Sequence, residues 1–146
     1  MNHRENVFMN FFKEIFTLEQ LARNRMERTL PNDMKVSHFT ALSYLVKKDT
    51  PSSPAELAGA FQVSRPTMTN TLQKLEAKNY ISVSADLEDG RGKLIKITQE
   101  GSDAFHIAVQ ALGEMFGDVA NTMGEEPFKE ALIPLTKIRA FMDTSR

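Results

Sequence analysis

The chain has 146 residues, 41% hydrophobic and 25% charged, a balance that suits one folded domain or a small domain with an oligomerisation element. It contains no cysteine, which excludes disulfides, thiolate metal sites, iron–sulfur clusters and thiol-based peroxide sensing. The net charge of −1 is uneven: residues 1–49 carry +2, residues 50–98 carry +1 and residues 99–146 carry −4, so the first two thirds retain enough positive charge to steer phosphate.

No apolar run approaches the roughly 18 residues needed to span a bilayer. The opening Met1-Asn2-His3-Arg4-Glu5 leads into an amphipathic stretch without a signal-peptide cleavage site, so a cytoplasmic location is expected. The histidines, His3, His38 and His106, lie far apart and form no HxxxH or HExxH pair. Neither a metal nor another cofactor is expected.

From about Glu5 to Leu30, apolar residues at Phe8, Phe11, Phe12, Ile15, Leu18, Ala22 and Met26 recur at steps of three and four, which predicts a long helix. Val7, Met9 and Phe16 widen its apolar stripe beyond what one partner would cover, and Pro31-Asn32-Asp33 ends it. A second helix is expected with Ser37 as N-cap and Phe39, Leu42, Leu45 and Val46 buried, broken by Asp49-Thr50-Pro51-Ser52. Ser53, Pro54 and Glu56 then make a capping box with proline at the first helical position, opening a short third helix that runs to about Phe61.

Gln62-Val63-Ser64 is a tight connection. Ser64 caps a fourth helix, with Pro66 near its start, Met68, Leu72 and Leu75 facing inward, and Asn79 suited to a left-handed end. The period then changes from helical to alternating. Tyr80–Ala85 and Lys93–Thr98 alternate apolar and polar around the turn-forming Asp86-Leu87-Glu88-Asp89-Gly90-Arg91-Gly92, which predicts a β-hairpin. Thr98 caps a long helix to about Met123, with Phe105, Ala108, Leu112, Met115 or Phe116, and Val119 on one face. Gly124 stops it. A last helix runs from about Glu126 to Met142 with Phe128, Ala131, Leu132, Leu135 and Ile138 on one side, and Pro134 is expected to kink or split it.

This order predicts a mainly α fold with a small β-hairpin wing, a winged helix-turn-helix with long N- and C-terminal dimerisation helices. Its expected divisions are an N-terminal dimerisation helix (1–36), a DNA-binding domain (37–98) and C-terminal dimerisation helices (99–146). The terminal helices carry more apolar surface than the middle can cover, so a homodimer is expected.

Two short helices joined by a few residues, the second starting Ser64-Arg65-Pro66-Thr67, point to a helix that reads DNA. The first turn of such a helix enters the major groove, and its free backbone N–H groups favour a nearby phosphate. The outward residues are Arg65, Thr67, Thr69, Asn70, Gln73 and Lys74. Arg65 suits a guanine, Asn70 or Gln73 an adenine, and the threonines a phosphate or a thymine methyl. At the hairpin tip Arg91 suits the minor groove and Lys93 a phosphate, with Asp89 bracing Arg91 or a basic neighbour. With the capping Ser64, these make up the expected DNA-binding set. Taken singly, each of these residues also reads as ordinary solvated surface, and the hairpin as an ordinary polar turn.

The runs Ser53–Ala58, Val63–Thr69, Leu72–Glu76, Asp86–Lys93 and Ile97–Gly101 together resemble the MarR family. The resemblance covers essentially the whole chain. It implies a homodimer whose terminal helices form the dimerisation layer and whose winged lobes meet a pseudo-palindromic operator in double-stranded DNA. It also implies a regulator, read here as a repressor, that responds to a small, often aromatic, effector. Gly90 and Gly92 stand where the family usually has an arginine and a small polar residue, leaving Arg91 as the minor-groove arginine of a more flexible wing. Phe12, Phe16, His38, Phe39 and Tyr44 are candidates to line an effector pocket, with ordinary core as the plainer reading.

An enzyme is disfavoured, because there is no phosphate-binding loop, no GxSxG motif, no cysteine and no partnered histidine. The alternative is a winged helix used for protein–protein contact. Near-neutral charge favours that alternative, and the polar face at Arg65, Thr67, Thr69 and Asn70 opposes it.

Overall fold

The structure, a computed structural model, describes residues 3–144. The elements are α1 (His3–Thr29), α2 (Val36–Lys48), α3 (Pro54–Phe61), α4 (Arg65–Ala77), β1 (Ile81–Ala85), β2 (Lys93–Ile97), α5 (Gln99–Met123) and α6 (Glu126–Thr144). They fall into two units, one ending at Leu112 and the other starting at Gly113.

In the first unit Leu42, Leu45, Leu57, Leu75, Ile81 and Ile95 are almost wholly buried. Each such side chain stabilises the fold by about 1.5–3 kcal/mol relative to exposure. The antiparallel pair β1–β2 has Ile81 opposite Ile97 and Val83 opposite Ile95, which puts one apolar face of the hairpin toward this core. Ser52 adds a one-residue third strand: its N–H donates to the Ile95 carbonyl at 2.9 Å and its carbonyl accepts from the Ile95 N–H at 2.7 Å. The sequence offers this segment only as a helix breaker, because a single bridging residue has no periodicity.

The caps explain most boundaries. Ser53 Oγ accepts the Glu56 N–H at 3.1 Å, Ser64 Oγ accepts the Thr67 N–H at 3.2 Å and Thr98 Oγ1 accepts the Gly101 N–H at 3.0 Å. Gln62 and Asn79 take left-handed backbones, with φ of 57° and 59°. The following N–H groups of Val63 and Tyr80 close back to the carbonyls of Ala58 and Leu75 at 3.1 and 2.9 Å, ending α3 and α4 in the same way. For Gln62 this conformation costs roughly 1 kcal/mol, a strain that sets the sharp turn between α3 and α4.

Helix α2 departs from expectation at its start. Lys35, not Ser37, is the N-cap. The His38 ring nitrogen Nδ1 accepts the Lys35 N–H, and Glu27 of α1 accepts the Val36 N–H, each at 3.2 Å. An acceptor nine residues upstream is invisible to a local capping rule. The buried stripe is accordingly His38, Ala41, Leu42 and Leu45, while Phe39 and Val46 are half-buried. In α5 the inward residues are Ala104, Ala108, Leu112 and Met115, and Phe105 is instead half-buried, its ring stacked on Phe39 at 5.3 Å.

In the second unit, the end of α5 and all of α6 form a helical hairpin joined at Gly124. Pro134 leaves α6 as one helix instead of splitting it. The ring removes one backbone bond, to the carbonyl of Glu130, and both residues are solvent-exposed, where a freed carbonyl is open to solvent. Among the described residues of α6 none is buried. Phe116, Val119, Ala120, Phe128 and Leu132 instead line an open apolar groove edged by Glu125 and Lys129.

Candidate nucleic-acid interface

Helix α4 is amphipathic in the sense a DNA-reading helix requires. Met68, Thr71, Leu72 and Leu75 are buried, which leaves Arg65, Thr67, Thr69, Asn70, Gln73 and Lys74 exposed on the rest of the surface. These outward residues do not share one environment. Arg65 and Thr69 line a cleft with Ser53, Pro54 and Ala55 at the start of α3 and with Asp89, Arg91, Gly92 and Lys93 of the wing. Gln73 lies in an adjoining groove with Thr69, Glu76, Val83 and Lys93. Thr67 faces elsewhere, into a groove with Arg23, Val36, Ser37, Thr40, Phe61 and Val63. Its hydroxyl is also engaged locally, 2.8 Å from Ser64 Oγ.

The wing is braced through its backbone. Asp89 Oδ1 accepts the Arg91 N–H at 3.2 Å, and the Asp89 carbonyl accepts the Gly92 N–H at 2.9 Å. Asp86 Oδ1 accepts the Glu88 N–H at 3.0 Å. The carboxylate that the sequence suggested as a partner for Arg91 therefore fixes the turn and leaves the guanidinium unpaired. A side chain at position 92 would place Cβ 3.2 Å from Asp86 Cβ, so glycine there matches a close approach of the two strand ends.

Among the described residues, Arg65, Arg91 and Lys93 make no ion pair, whereas Arg23, Lys35, Lys48 and Lys129 all do. Three uncompensated cations around one cleft, opposite a single carboxylate already engaged by backbone, form a local positive field in a chain that is nearly neutral overall. Residues Ser53–Ala55 are the part of the cleft the sequence reading missed. The capping box there speaks of helix stability and the family resemblance of the fold, and neither speaks of position.

Behind the cleft, Glu56 ties α3 to α2. It accepts hydrogen bonds from Tyr44 Oη (2.9 Å) and Lys48 Nζ. The Lys48 bond, with help from Tyr44, holds the Glu56 carboxyl below the usual carboxylate range, and the same contact raises the Tyr44 phenol. Each of the five candidate effector-pocket residues has its own neighbours. Phe12 packs against Phe11 and Phe16, Phe16 is 69% exposed, Phe39 stacks on Phe105, Tyr44 meets Phe61 and Glu56, and His38 closes the start of α2. Among the described residues no three His, Asp or Glu side chains gather as a metal-binding group, and no helix is long and apolar enough to cross a membrane.

The fold and cleft define a winged helix-turn-helix of the kind found in transcriptional regulators. Residues 32–92 match the model of the MarR family. Solved structures similar to the chain include the transcriptional regulator BldR from Sulfolobus solfataricus (21% identity, 96% of this chain and 99% of that one, TM-score 0.81). A mutant MarR from E. coli complexed with operator DNA matches at 20% identity over 91% and 96% of the chains, with a TM-score of 0.80. Staphylococcus aureus MarR in complex with salicylate and kanamycin matches at 19% identity over 97% and 96%, with a TM-score of 0.83. The chain thus shares the winged-helix fold of these regulators, and its residues 32–92 match the MarR-family model.

Proposed function

We propose that the chain is a homodimeric regulator that binds a pseudo-palindromic operator in double-stranded DNA, acts as a repressor, and is relieved by a small effector. The observation that carries this reading is the cleft in which the first turn of α4 and the wing present Arg65, Arg91 and Lys93 unpaired. Arg65 and Thr69 are placed to read base edges in the major groove, with Asn70, Gln73 and Lys74 further along the helix. Arg91 reaches the neighbouring minor groove, and Lys93 a phosphate. The DNA complex of E. coli MarR supports this use of the fold.

Self-association is supported by the terminal helices. Phe8, Phe16, Leu18 and Leu21 of α1 and Leu132 and Ile133 of α6 are each more than half exposed, more apolar surface than a soluble monomer ordinarily presents. Sedimentation at micromolar concentration is expected to give a dimer, and a stable monomer would contradict this part of the reading. For the effector, the groove of Arg23, Ser37, Thr40, Phe61 and Thr67 combines one cation and several hydroxyls with apolar walls, which suits a small aromatic acid such as the salicylate of the S. aureus MarR complex.

DNA binding is tested by fluorescence anisotropy with duplex DNA across a salt series. Replacing Arg91 by alanine is expected to lower affinity and reduce the magnitude of the salt slope by about 1 without loss of folding. Unchanged affinity with an unchanged slope would remove the wing from the interface.

A further inference from the structure

One buried ionisable group lies outside the cleft, where α1, α2 and α4 meet. His38 is 5% exposed. Its Nδ1 accepts the Lys35 N–H, so the neutral ring carries its proton on Nε2. The charged groups that face it are Lys78 from the C-cap of α4, Lys74 from α4 itself, Glu27 from α1 and Lys35 from the cap of α2. Lys78 also donates to the Asn32 carbonyl at 2.6 Å, tying the end of α4 to the turn before α2.

We propose that His38 is an acid-sensitive latch: protonating its ring opens the start of α2, loosens the seat of α4, and so weakens DNA binding as the medium acidifies. The proposal rests on the reading that α4 contacts DNA. Protonation puts a hydrogen on Nδ1, facing the Lys35 N–H, so two donors oppose each other where a bond had closed the helix. The new charge is also buried among three lysines and one glutamate, which still accepts the Val36 N–H. Burial first, and then Lys78 and Lys74, hold His38 below the ordinary histidine value. With the folded value depressed below about 6.5, the neutral ring's contribution is complete above that pH. It is lost as pH falls from about 6.5 to the folded value, below which nothing further is lost.

The test has a DNA-free arm and a DNA arm. As pH falls from about 7.5 through the folded value of His38, the Lys35 and Val36 amide resonances of the free protein are expected to move with the His38 ring titration. In His38→Gln, whose side-chain oxygen can accept the same bond, they are expected to stay still. Over the same range, affinity for a duplex selected from a random pool is expected to fall about tenfold in the parent protein and to hold in His38→Gln, while exposed His106→Gln behaves as the parent. A ring titrating at the ordinary value, or amides indifferent to it, overturns the latch even if His38→Gln fails to fold. Moving amides with pH-independent affinity overturn the link to α4. Absence of DNA binding at every pH contradicts the DNA reading, while moving amides would still support the opening of α2.

Discussion

Replacing Arg65 by alanine is expected to weaken binding to a selected duplex by about 1–3 kcal/mol and to relax base preference at one position of each half-site. The reasoning begins with position. Arg65 is the first residue of α4, directly after the capping Ser64, so its side chain leaves the helix at the end that enters the groove. It is exposed and, among the described residues, free of any ion pair, so no internal contact must break before it can bind a base. A guanidinium there can make two parallel hydrogen bonds to one guanine, which a lysine cannot. The variant should fold normally, because neither the cap nor the buried face of α4 involves this side chain. Unchanged discrimination between the selected duplex and a scrambled one would refute the assignment.

A Gly101→Ala substitution is expected to destabilise the fold by about 3 kcal/mol, lowering the melting temperature by roughly 10 °C. Gly101 lies in the first turn of α5, where a Cβ would fall 2.0 Å from the Tyr80 carbonyl oxygen and 2.8 Å from its carbon. Those atoms are backbone and cannot swing aside. The same carbonyl accepts the Thr98 N–H at 3.0 Å, so moving it would disturb the cap of α5 and the entry to β1 together. On helix propensity alone the substitution would stabilise by up to about 1 kcal/mol, which gives the experiment an opposite sign to detect. Gly113→Ala is the control: a Cβ there meets nothing within 4 Å, and its effect should be neutral or stabilising. An unchanged or higher melting temperature for Gly101→Ala would contradict the close approach.

Much of the fold was legible because its boundaries are set locally. Ser53, Ser64 and Thr98 cap with their own side chains, and Asn79 takes the left-handed backbone that its short amide tolerates. The period change at Tyr80 announces the hairpin. What was not legible depends on distant partners. Lys35 displaces Ser37 as a cap because Glu27, on another helix, accepts the Val36 N–H. The bridge from Ser52 to Ile95 joins residues 43 positions apart through one backbone pair. The continuity of α6 through Pro134, on a helix with no buried residue, is likewise not encoded in the hydropathy pattern.

The candidate site was legible as residue types and less so as an arrangement. Arg65, Thr69, Arg91 and Lys93 do meet at one cleft. The same helix turns Thr67 toward α1 and α2, because one step along a helix rotates a side chain by about 100°. The wing's Asp89 illustrates the same limit. Spacing alone suggested an ion pair with Arg91, and its carboxylate instead bonds the backbone of the turn. That difference leaves the arginine available.

The most direct test of the central claim is selection of bound duplexes from a random pool by the 146-residue chain. The account predicts enrichment of an inverted repeat whose half-sites are centred about one helical turn of DNA, or a multiple of it, apart. Failure to enrich any duplex, or enrichment of a single unrepeated site, would contradict a dimeric winged helix reading DNA through Arg65 and Arg91.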